Sequence, residues 1–399
     1  MKSSVSLITA MLVSGLFQMA APVQAATPGV TIPVESPAFV FSPGNWVGDE
    51  GRGGKQYRQT WNPGAYFRVT WESSVEDTTV TLLLDTSSYP QQFKPPQLAC
   101  NIDGTWVTGV LCREEIEFKV QGTGKHVLTV YMTQSRQSRR WGSKGQSGVN
   151  VVRIKGLNVE AGDKPVADAA CKPWALIVGD SITEGSGATQ LECYSHLTGQ
   201  GLQELGHEYA ISACGWSGWI NKGGNPPGDV PGYYVVENSV NGAGGEYIDA
   251  KSRWNKIDAN NSLLDSCGHI SAYGQTGQEP SMIIINYGTN DSLHKSNPSD
   301  VEASIAQCLK ALRGAAPKAH IFFIIPFGQY KAKEIHKTVA DYRAVAPKDN
   351  QVSVIDLGVD TAKGLTRGGF WGGLHPNPRG HATFAAKIIA RIAAAAKKN

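Results

Sequence analysis

The fold of this chain is decided by the run Trp174-Ala175-Leu176-Ile177-Val178 and the polar turn that follows it directly, Gly179-Asp180-Ser181-Ile182-Thr183-Glu184-Gly185. The run is short and wholly apolar, which is typical of a strand buried on both faces of a parallel sheet. The turn holds Asp180 and Ser181, residue types that begin helices. Ligands of open α/β sheets bind beyond the carboxyl ends of the strands, close to helix N-termini. Ser181 therefore stands where a nucleophile would be placed.

From Pro173 to the end of the chain, strand patterns alternate with helical ones. Alternation of this kind predicts a parallel sheet covered by helices. The predicted strands are 174–178, 209–213, 282–286, 321–325 and 352–355, and the predicted helices are 301–315 and 382–395.

The region before Pro165 follows a different pattern. Short runs rich in β-branched and aromatic residues are separated by turns of Gly, Pro and Ser, and they predict a β-sandwich. These runs are 66–71, 79–84, 126–131 and 149–154, and the segment 161–165 between the two regions is interpreted as a linker.

Two later motifs could complete a catalytic site around Ser181. Asn290 lies in a Gly-Thr-Asn-Asp turn after the strand 282–286, and His375 precedes the last helix. A serine hydroxyl needs a base such as an imidazole to take its proton as it attacks an acyl carbon. Donors aimed at the developing oxyanion are usually the largest catalytic contribution. We expect these donors to be the amide of Asn290 and the backbone N–H groups of Ser181 and Gly218, with Gly215 as the alternative to Gly218.

These motifs resemble those of the SGNH (GDSL-type) hydrolase superfamily over roughly residues 173–399. The resemblance places Ser181 on the nucleophile, Gly218 and Asn290 on oxyanion donors, and His375 on the base. It implies an α/β fold in which a C-terminal SGNH-type three-layer domain with a parallel sheet follows an N-terminal, jelly-roll-like β-sandwich. A sandwich joined to such a domain is also the layout of carbohydrate esterase family two, which the chain resembles.

The chain departs from the family where an acid is usual, three residues before the histidine, because that position is Gly372. In a Ser-His-Asp triad this carboxylate fixes the tautomer of the imidazole and stabilises the imidazolium. Some members of carbohydrate esterase family two are thought to work as Ser-His dyads. We expect a backbone carbonyl to orient His375, with Asp356 and Asp360 as alternative acids.

The resemblance implies a serine esterase that removes acetyl groups from carbohydrates such as xylan or other hemicellulose. Four aromatic residues adjoin the motifs and are candidates for stacking on sugar rings, namely Trp216, Trp219, Tyr287 and Trp371. A lipase or thioesterase would use the same catalytic positions but would need a long apolar channel. A catalytically impaired carbohydrate-binding protein is the other alternative, because the acid is missing.

Composition and the N-terminus indicate an exported protein. Residues 1–25 combine Lys2, an apolar stretch and the small-residue cleavage pattern Val23-Gln24-Ala25, which predicts a signal peptide. The predicted domains are then 26–162 for the sandwich and 170–399 for the hydrolase, in a secreted or periplasmic protein. The net charge of +3, with 18% charged residues, does not favour nucleic acid or a membrane as a partner. The expected partner is an acetylated polysaccharide or oligosaccharide.

The cysteines and short motifs suggest chemistry without a cofactor. An exported protein can form disulfides, and the seven cysteines include Cys100 and Cys112, which flank a predicted hairpin turn and are the first candidates for a bridge. The other pairings stay open. No metal-ligand spacing and no phosphate-binding loop occur in the sequence, so we expect neither a metal nor a cofactor.

Overall fold

The fold comes from a computed structural model in which residues 29–49, 56–87, 89, 94–134, 151–168, 172–220, 257, 263–264, 279–358 and 374–396 are described. The N-terminal part of the described chain is built of strands only. They are β1 (Val30–Pro33), β2 (Phe39–Phe41), β3 (Val47–Asp49), β4 (Tyr57–Thr60), β5 (Tyr66–Ser73), β6 (Asp77–Leu84), β7 (Gln97–Ile102), β8 (Thr105–Leu111), β9 (Glu115–Gln121), β10 (Gly124–Gln134), β11 (Val152–Val159) and β12 (Lys164–Pro165).

The strands form two antiparallel sheets that pack face to face. One sheet has the order β3-β4-β11-β6-β9, with β1 also paired to β11, and the other has the order β12-β5-β10-β7-β8, with β2 also paired to β5. Alternate residues of each central strand point between the sheets, as Val80, Leu82 and Leu84 do in β6. The predicted β-sandwich is therefore confirmed.

The predicted hairpin is present, but the predicted disulfide is not. Asp103 and Gly104 both have positive φ, 50° and 93°, as a two-residue turn between β7 and β8 requires. Cys100 and Cys112 are buried free thiols. Cys100 faces Val107 across the hairpin, whereas the backbone N–H of Cys112 bonds to Pro96. The two thiols therefore lie at different positions along the hairpin and are not bridged.

The C-terminal part alternates strands and helices. The strands are β13 (Trp174–Gly179), β14 (Glu208–Ala213), β15 (Met282–Asn286), β16 (His320–Ile325) and β17 (Val352–Asp356). The helices are α1 (Ser181–Glu184), α2 (Tyr194–Glu204), α3 (Thr289–Leu293), α4 (Pro298–Ala315), α5 (Ala332–Val345) and α6 (Pro378–Ala396). All five strands are parallel, in the order β14-β13-β15-β16-β17.

This parallel sheet divides two hydrophobic cores. Leu176 and Val178 of β13 pack in one core together with residues of α4 and α5. Ala175 and Ile177, which alternate with them, pack in the other core with residues of α2 and α6. Because every residue of β13 is buried, the strand is apolar throughout. The predicted three-layer α/β fold is confirmed.

The two parts share a buried polar interface. The Tyr66 hydroxyl on β5 donates to the Glu208 carboxylate at the start of β14. Arg68 forms an ion pair with the same carboxylate at 2.8 Å. The Asn45 side chain donates to the Ile211 carbonyl at 2.9 Å. Because this interface is buried and paired, removing the sandwich would expose core residues of the parallel-sheet domain.

The segment predicted to be a linker belongs in part to the sandwich. Lys164 and Pro165 pair with Glu72 and Trp71 of β5, so the sandwich sheet continues beyond residue 162. The predicted signal peptide lies outside the described residues. In the described part of the chain, every helix is too short or too polar to cross a membrane.

Candidate active site

The candidate site lies at the carboxyl edge of the parallel sheet, where three neighbouring strands end. Ser181 follows β13, Gly218 follows β14 and Asn290 follows β15. The strand order reverses at β13, because its two neighbours are reached by connections in opposite directions. Such a switch point opens a crevice between the turns that leave the strands. The sheet therefore brings together residues that the sequence separates by more than 100 positions.

A tight turn holds Ser181 at the start of α1. The Asp180 carboxylate accepts from the Ile182 N–H at 2.9 Å and caps the helix. Gly185 ends the helix with φ of 108°, a conformation that glycine adopts without strain. Gly179 is also required, because a β-carbon there would overlap the Thr183 side chain. The sequence thus forms a one-turn helix whose first residue is the serine.

His375 lies within hydrogen-bond distance of that serine. The His375 Nε2 atom is 2.8 Å from the Ser181 hydroxyl oxygen. The histidine is buried, with 8% of its surface exposed. Burial lowers the pKa of His375 below its ordinary value of 6.5, and the negative charge of Glu184 opposes that shift. At neutral pH the imidazole is therefore unprotonated and able to accept the serine proton.

The partner predicted for the other nitrogen of His375 is not found among the described residues. The Nδ1 atom is buried and makes no hydrogen bond there. Asp356, one alternative acid, is instead engaged with Gln329 and with the Gly358 N–H, at 3.0 and 2.8 Å. Asp360 and Gly372 lie outside the described residues. Orientation of His375 by a backbone carbonyl stays a prediction.

Glu184 is a carboxylate near His375 that the sequence analysis did not select. It lies one helical turn after Ser181, on the same face of α1. Its Oε2 atom accepts from the Gly215 N–H at 2.7 Å. That bond occupies the donor of Gly215, so Gly218 is the better of the two glycine candidates. Within the described chain the Gly218 N–H has no hydrogen-bond partner, which leaves it available to an oxyanion.

The Asn290 side chain is held in place by one of its two amide hydrogens. Its nitrogen donates to the Ser217 carbonyl at 2.7 Å, beside Gly218. An amide group carries two N–H donors, so one remains for a ligand. The next residue, Asp291, accepts from the N–H groups of Trp219 and Ile220 at 2.8 and 3.0 Å. Asn290 and Asp291 thus tie the turn after β15 to the glycine turn after β14.

Asp180 and Asp291 organise the turns that carry the site. Both side chains are buried. Burial raises the pKa of Asp180 to about 7, opposed by its bond to the Ile182 N–H and reinforced by the charge of Asp291. Asp180 binds the Ile182 N–H and Asp291 binds those of Trp219 and Ile220, so both contribute to the geometry of the site.

Two of the four aromatic candidates are wrong as sugar contacts. Trp219 and Tyr287 are 1% and 0% exposed, and their rings pack edge to face at 5.5 Å in the core beneath the site. Trp216 is 38% exposed and is held at φ of 72° in the glycine turn. It alone among the described candidates can meet a ligand. Trp371 lies outside the described residues.

Gly187 allows the segment His375–Pro376 to pack closely against the loop after α1, and its role was not predicted from the sequence. A β-carbon at Gly187 would lie 3.0 Å from the His375 β-carbon and closer still to the Pro376 carbonyl oxygen. The loop around it is fastened to α6, because His381 contacts the Ser186 carbonyl at 3.2 Å and accepts from the Tyr194 N–H at 3.1 Å. The Gly-Ser-Gly sequence after the first motif was the available indication of such a close approach.

Comparison with known proteins assigns the chain to a class. The sequence profile of the GDSL-like lipase/acylhydrolase family matches residues 177–383, just over half of the 399 residues and all of the motifs above. The chain therefore belongs to the GDSL-like lipase/acylhydrolase family. A search of curated protein sequences found no match.

Solved structures of similar architecture extend the likeness to both domains. A family two carbohydrate esterase from Cellvibrio japonicus aligns with a TM-score of 0.61 and 16% identity over 92% of this chain and 97% of that one. An acetyl xylan esterase from Butyrivibrio proteoclasticus aligns with a TM-score of 0.61 and 15% identity over 91% of this chain and 98% of that one. A family two carbohydrate esterase from Clostridium thermocellum, in complex with cellohexaose, aligns with a TM-score of 0.56 and 14% identity over 89% of this chain and 98% of that one. The expected two-domain layout of this family is confirmed.

The described residues contain no cluster of three or more His, Cys, Asp or Glu side chains placed to bind a metal ion. The chemistry that the site can perform with the residues it brings together is acyl transfer. A hydroxyl nucleophile in contact with a neutral imidazole, with candidate N–H donors on the neighbouring turns, supplies the parts that this reaction needs.

Proposed function

We propose that the protein is a serine esterase that removes acetyl groups from acetylated carbohydrates, with Ser181 as nucleophile and His375 as base. The observation that carries the proposal is the 2.8 Å contact between the Ser181 hydroxyl and His375 Nε2. Within the described residues, the backbone N–H groups of Ser181 and Gly218 make no hydrogen bond, and Asn290 keeps one amide hydrogen for a ligand. The contact supplies a nucleophile and a base, and the turns after the neighbouring strands supply the proposed oxyanion donors.

In the reaction, the Ser181 oxygen attacks the acetyl carbon while its proton passes to His375 Nε2. Negative charge appears on the carbonyl oxygen, where the N–H groups of Ser181 and Gly218 and the Asn290 amide stabilise it. The imidazolium then gives its proton to the departing sugar oxygen, and the acetyl group remains on Ser181. Water, deprotonated by the same imidazole, releases acetate and restores the serine.

Glu184 compensates in part for the missing acid in this scheme. No described residue places a carboxylate on Nδ1, where such a group would stabilise the imidazolium that forms in each step. The Glu184 charge favours the protonated form of His375. Because Glu184 is fixed by its bond to the Gly215 N–H, its charge is held in place during the reaction.

Three observations support a carbohydrate as the substrate. Both domains share their fold with family two carbohydrate esterases, one of which was solved with cellohexaose bound. Trp216 offers a half-exposed ring in the oxyanion turn. The N-terminal 25 residues have the pattern of a signal peptide, so we also propose that the protein is secreted or periplasmic, where plant polysaccharides are met.

Kinetics on esters of increasing chain length test the proposal. We expect acetyl esters of sugars and 4-nitrophenyl acetate to be hydrolysed, butyryl esters more slowly, and octanoyl esters hardly at all. Each methylene of a longer chain would add about 0.8 kcal/mol of binding if an apolar channel existed. Rising kcat/KM from acetate to octanoate would indicate a lipase or thioesterase instead.

Variants test the catalytic residues directly. Ser181→Ala and His375→Ala should each lower kcat by about 10³ or more, and the double variant should be little worse. His294→Ala, at an exposed histidine, is the matched control and should retain activity. If either catalytic variant kept near wild-type turnover while folded, the assignment would be wrong. If the wild type bound saccharides without hydrolysing any ester, it would be a carbohydrate-binding protein.

A further inference from the structure

We propose that a groove between the two domains is a second saccharide subsite, which binds neutral sugar residues flanking the acetylated one. The proposal rests on the proposed function and extends it from the acetyl group to the polymer. It gives the sandwich a direct part in substrate binding.

The groove is a cavity of about 1,050 Å³ walled by both domains. Its sandwich wall is the outer face of the sheet at β7, β8 and β10, including Gln97, Thr108 and Thr133. Its other wall is the loop 184–192 of the hydrolase domain. The volume is just above the usual range for ligand sites, which is about 300–1,000 Å³, and suits several linked rings more than one small molecule.

The polar groups of the walls match a neutral polyhydroxyl ligand. The side chains of Gln97 and Thr108 make no hydrogen bond within the described residues, so their donors and acceptors are available. Among the described residues that line the groove, Glu184 and Glu192 are charged and there is no cationic side chain. Carboxylates accept hydrogen bonds from hydroxyl groups but repel anions. A neutral sugar chain therefore fits better than a uronate or a phosphate.

An aromatic ring stands beside the sandwich wall. Trp106 on β8 is 42% exposed and stacks on Tyr131 of β10 at 5.7 Å. Tyr131 is paired in register with Ala99, which lines the groove. Tyr131 covers one face of the indole, and the ring lies two residues from Thr108, which lines the groove. Flat, rigid aromatic rings are suited to packing against the apolar face of a sugar ring.

The groove adjoins the catalytic residues through the loop 184–192. Glu184 lines the groove and lies one turn after Ser181, about 4.5 Å along the helix axis. Gly187 also lines the groove, and it contacts the His375 segment. A saccharide whose acetyl group reaches Ser181 can therefore continue along the groove onto the sandwich.

Two matched substitutions on β8 provide the test. Thr108 lines the groove, and Thr105 is an exposed threonine of the same strand that does not appear among the lining residues. Thr108→Arg should fill part of the groove, whereas Thr105→Arg makes the same chemical change outside it. Trp106→Ala removes the aromatic ring without adding bulk.

Two measurements separate failure of this proposal from failure of the proposed function. The first is the Kd of unacetylated xylohexaose and cellohexaose by calorimetry, which does not depend on esterase activity. Thr108→Arg should weaken binding at least tenfold and Trp106→Ala several-fold, with Thr105→Arg unchanged. The second is the ratio of kcat/KM on an acetylated hexasaccharide to that on 4-nitrophenyl acetate, which should fall at least tenfold in Thr108→Arg only.

Equal binding by the wild type and Thr108→Arg, or no binding of either hexasaccharide by the wild type, would overturn the subsite. A wild type that binds the hexasaccharides in this groove but hydrolyses no acetyl ester would retain the subsite and overturn the esterase. Selective loss of octanoyl ester hydrolysis in Thr108→Arg would show an acyl-binding groove and would also overturn the subsite.

Discussion

A methyl group at Gly187 should disable the enzyme without unfolding it. The β-carbon of Gly187→Ala would lie 3.0 Å from the His375 β-carbon and closer to the Pro376 carbonyl oxygen. Carbon atoms pack at about 3.5–4.0 Å, so the histidine segment must retreat by roughly 0.5–1 Å. The Ser181–His375 contact of 2.8 Å would then lengthen to about 3.3–3.8 Å, outside the range of a good hydrogen bond.

A misplacement of about 1 Å in a catalytic group can cost about 10²-fold in rate, so kcat/KM on 4-nitrophenyl acetate should fall by about that factor. Gly187 also has φ of 94°, which alanine adopts only with strain. Gly206→Ala controls for this strain, because Gly206 has φ of 88° and open space around its α-carbon. The melting temperatures of both variants should fall by similar amounts, but only Gly187→Ala should lose activity. Near wild-type kcat/KM in Gly187→Ala, or an equal loss in Gly206→Ala, would refute the reasoning.

Three further predictions concern charge and the oxyanion. Asn290→Ala should lower kcat by about 10²–10³ with little change in KM, and a change in KM alone would move Asn290 to substrate binding. In the pH profile of kcat/KM, the loss of activity on the acid side should have its midpoint below pH 6.5, because burial lowers the pKa of His375. Glu184→Gln removes a charge that raises this pKa, so the midpoint should move to still lower pH. An unchanged midpoint in Glu184→Gln would show that Glu184 does not stabilise the protonated form of His375. Burial acts to raise the pKa of Glu208, but its pairing with Arg68 and its hydrogen bonds outweigh burial and lower the pKa from 4.5 to about 2. Glu208 therefore stabilises the fold above pH 4.5 by about 3 kcal/mol, and this contribution is lost as the pH falls to 2. Urea unfolding of Glu208→Gln should therefore show a weaker dependence on pH in that window, and an unchanged dependence would contradict the assignment.

The strands of the parallel sheet were predictable, whereas several of its helices were not. The apolar runs at 174–178 and 282–286 are buried strands, as expected. The helix α2 was missed, because it contains Gly199 and Gly201, which lower helix propensity. Packing requires both glycines, since a β-carbon at Gly199 would overlap the Tyr209 ring and one at Gly201 would overlap Ile389.

Which of the aromatic candidates is exposed to solvent could not be predicted from the sequence either. Trp216 and Trp219 belong to the same turn and look alike as candidates for sugar binding. Asp291 binds the Trp219 N–H and directs that ring into the core, while Trp216 stays at the surface. The difference arises from a carboxylate 72 residues away along the chain.

Local patterns were enough to predict the fold class, the order of the motifs and the residues that could act as nucleophile, donor and base. Helix caps, strand periodicity and turns depend on neighbours within a few residues, so they can be recognised without the fold. The tertiary structure alone decided which atoms meet. It placed Ser181 against His375, 194 residues later, and brought Glu184 and Gly187 to the histidine. It also joined the sandwich to the hydrolase domain through a buried ion pair. Such contacts depend on strand order and on the packing of whole elements, which no local pattern specifies.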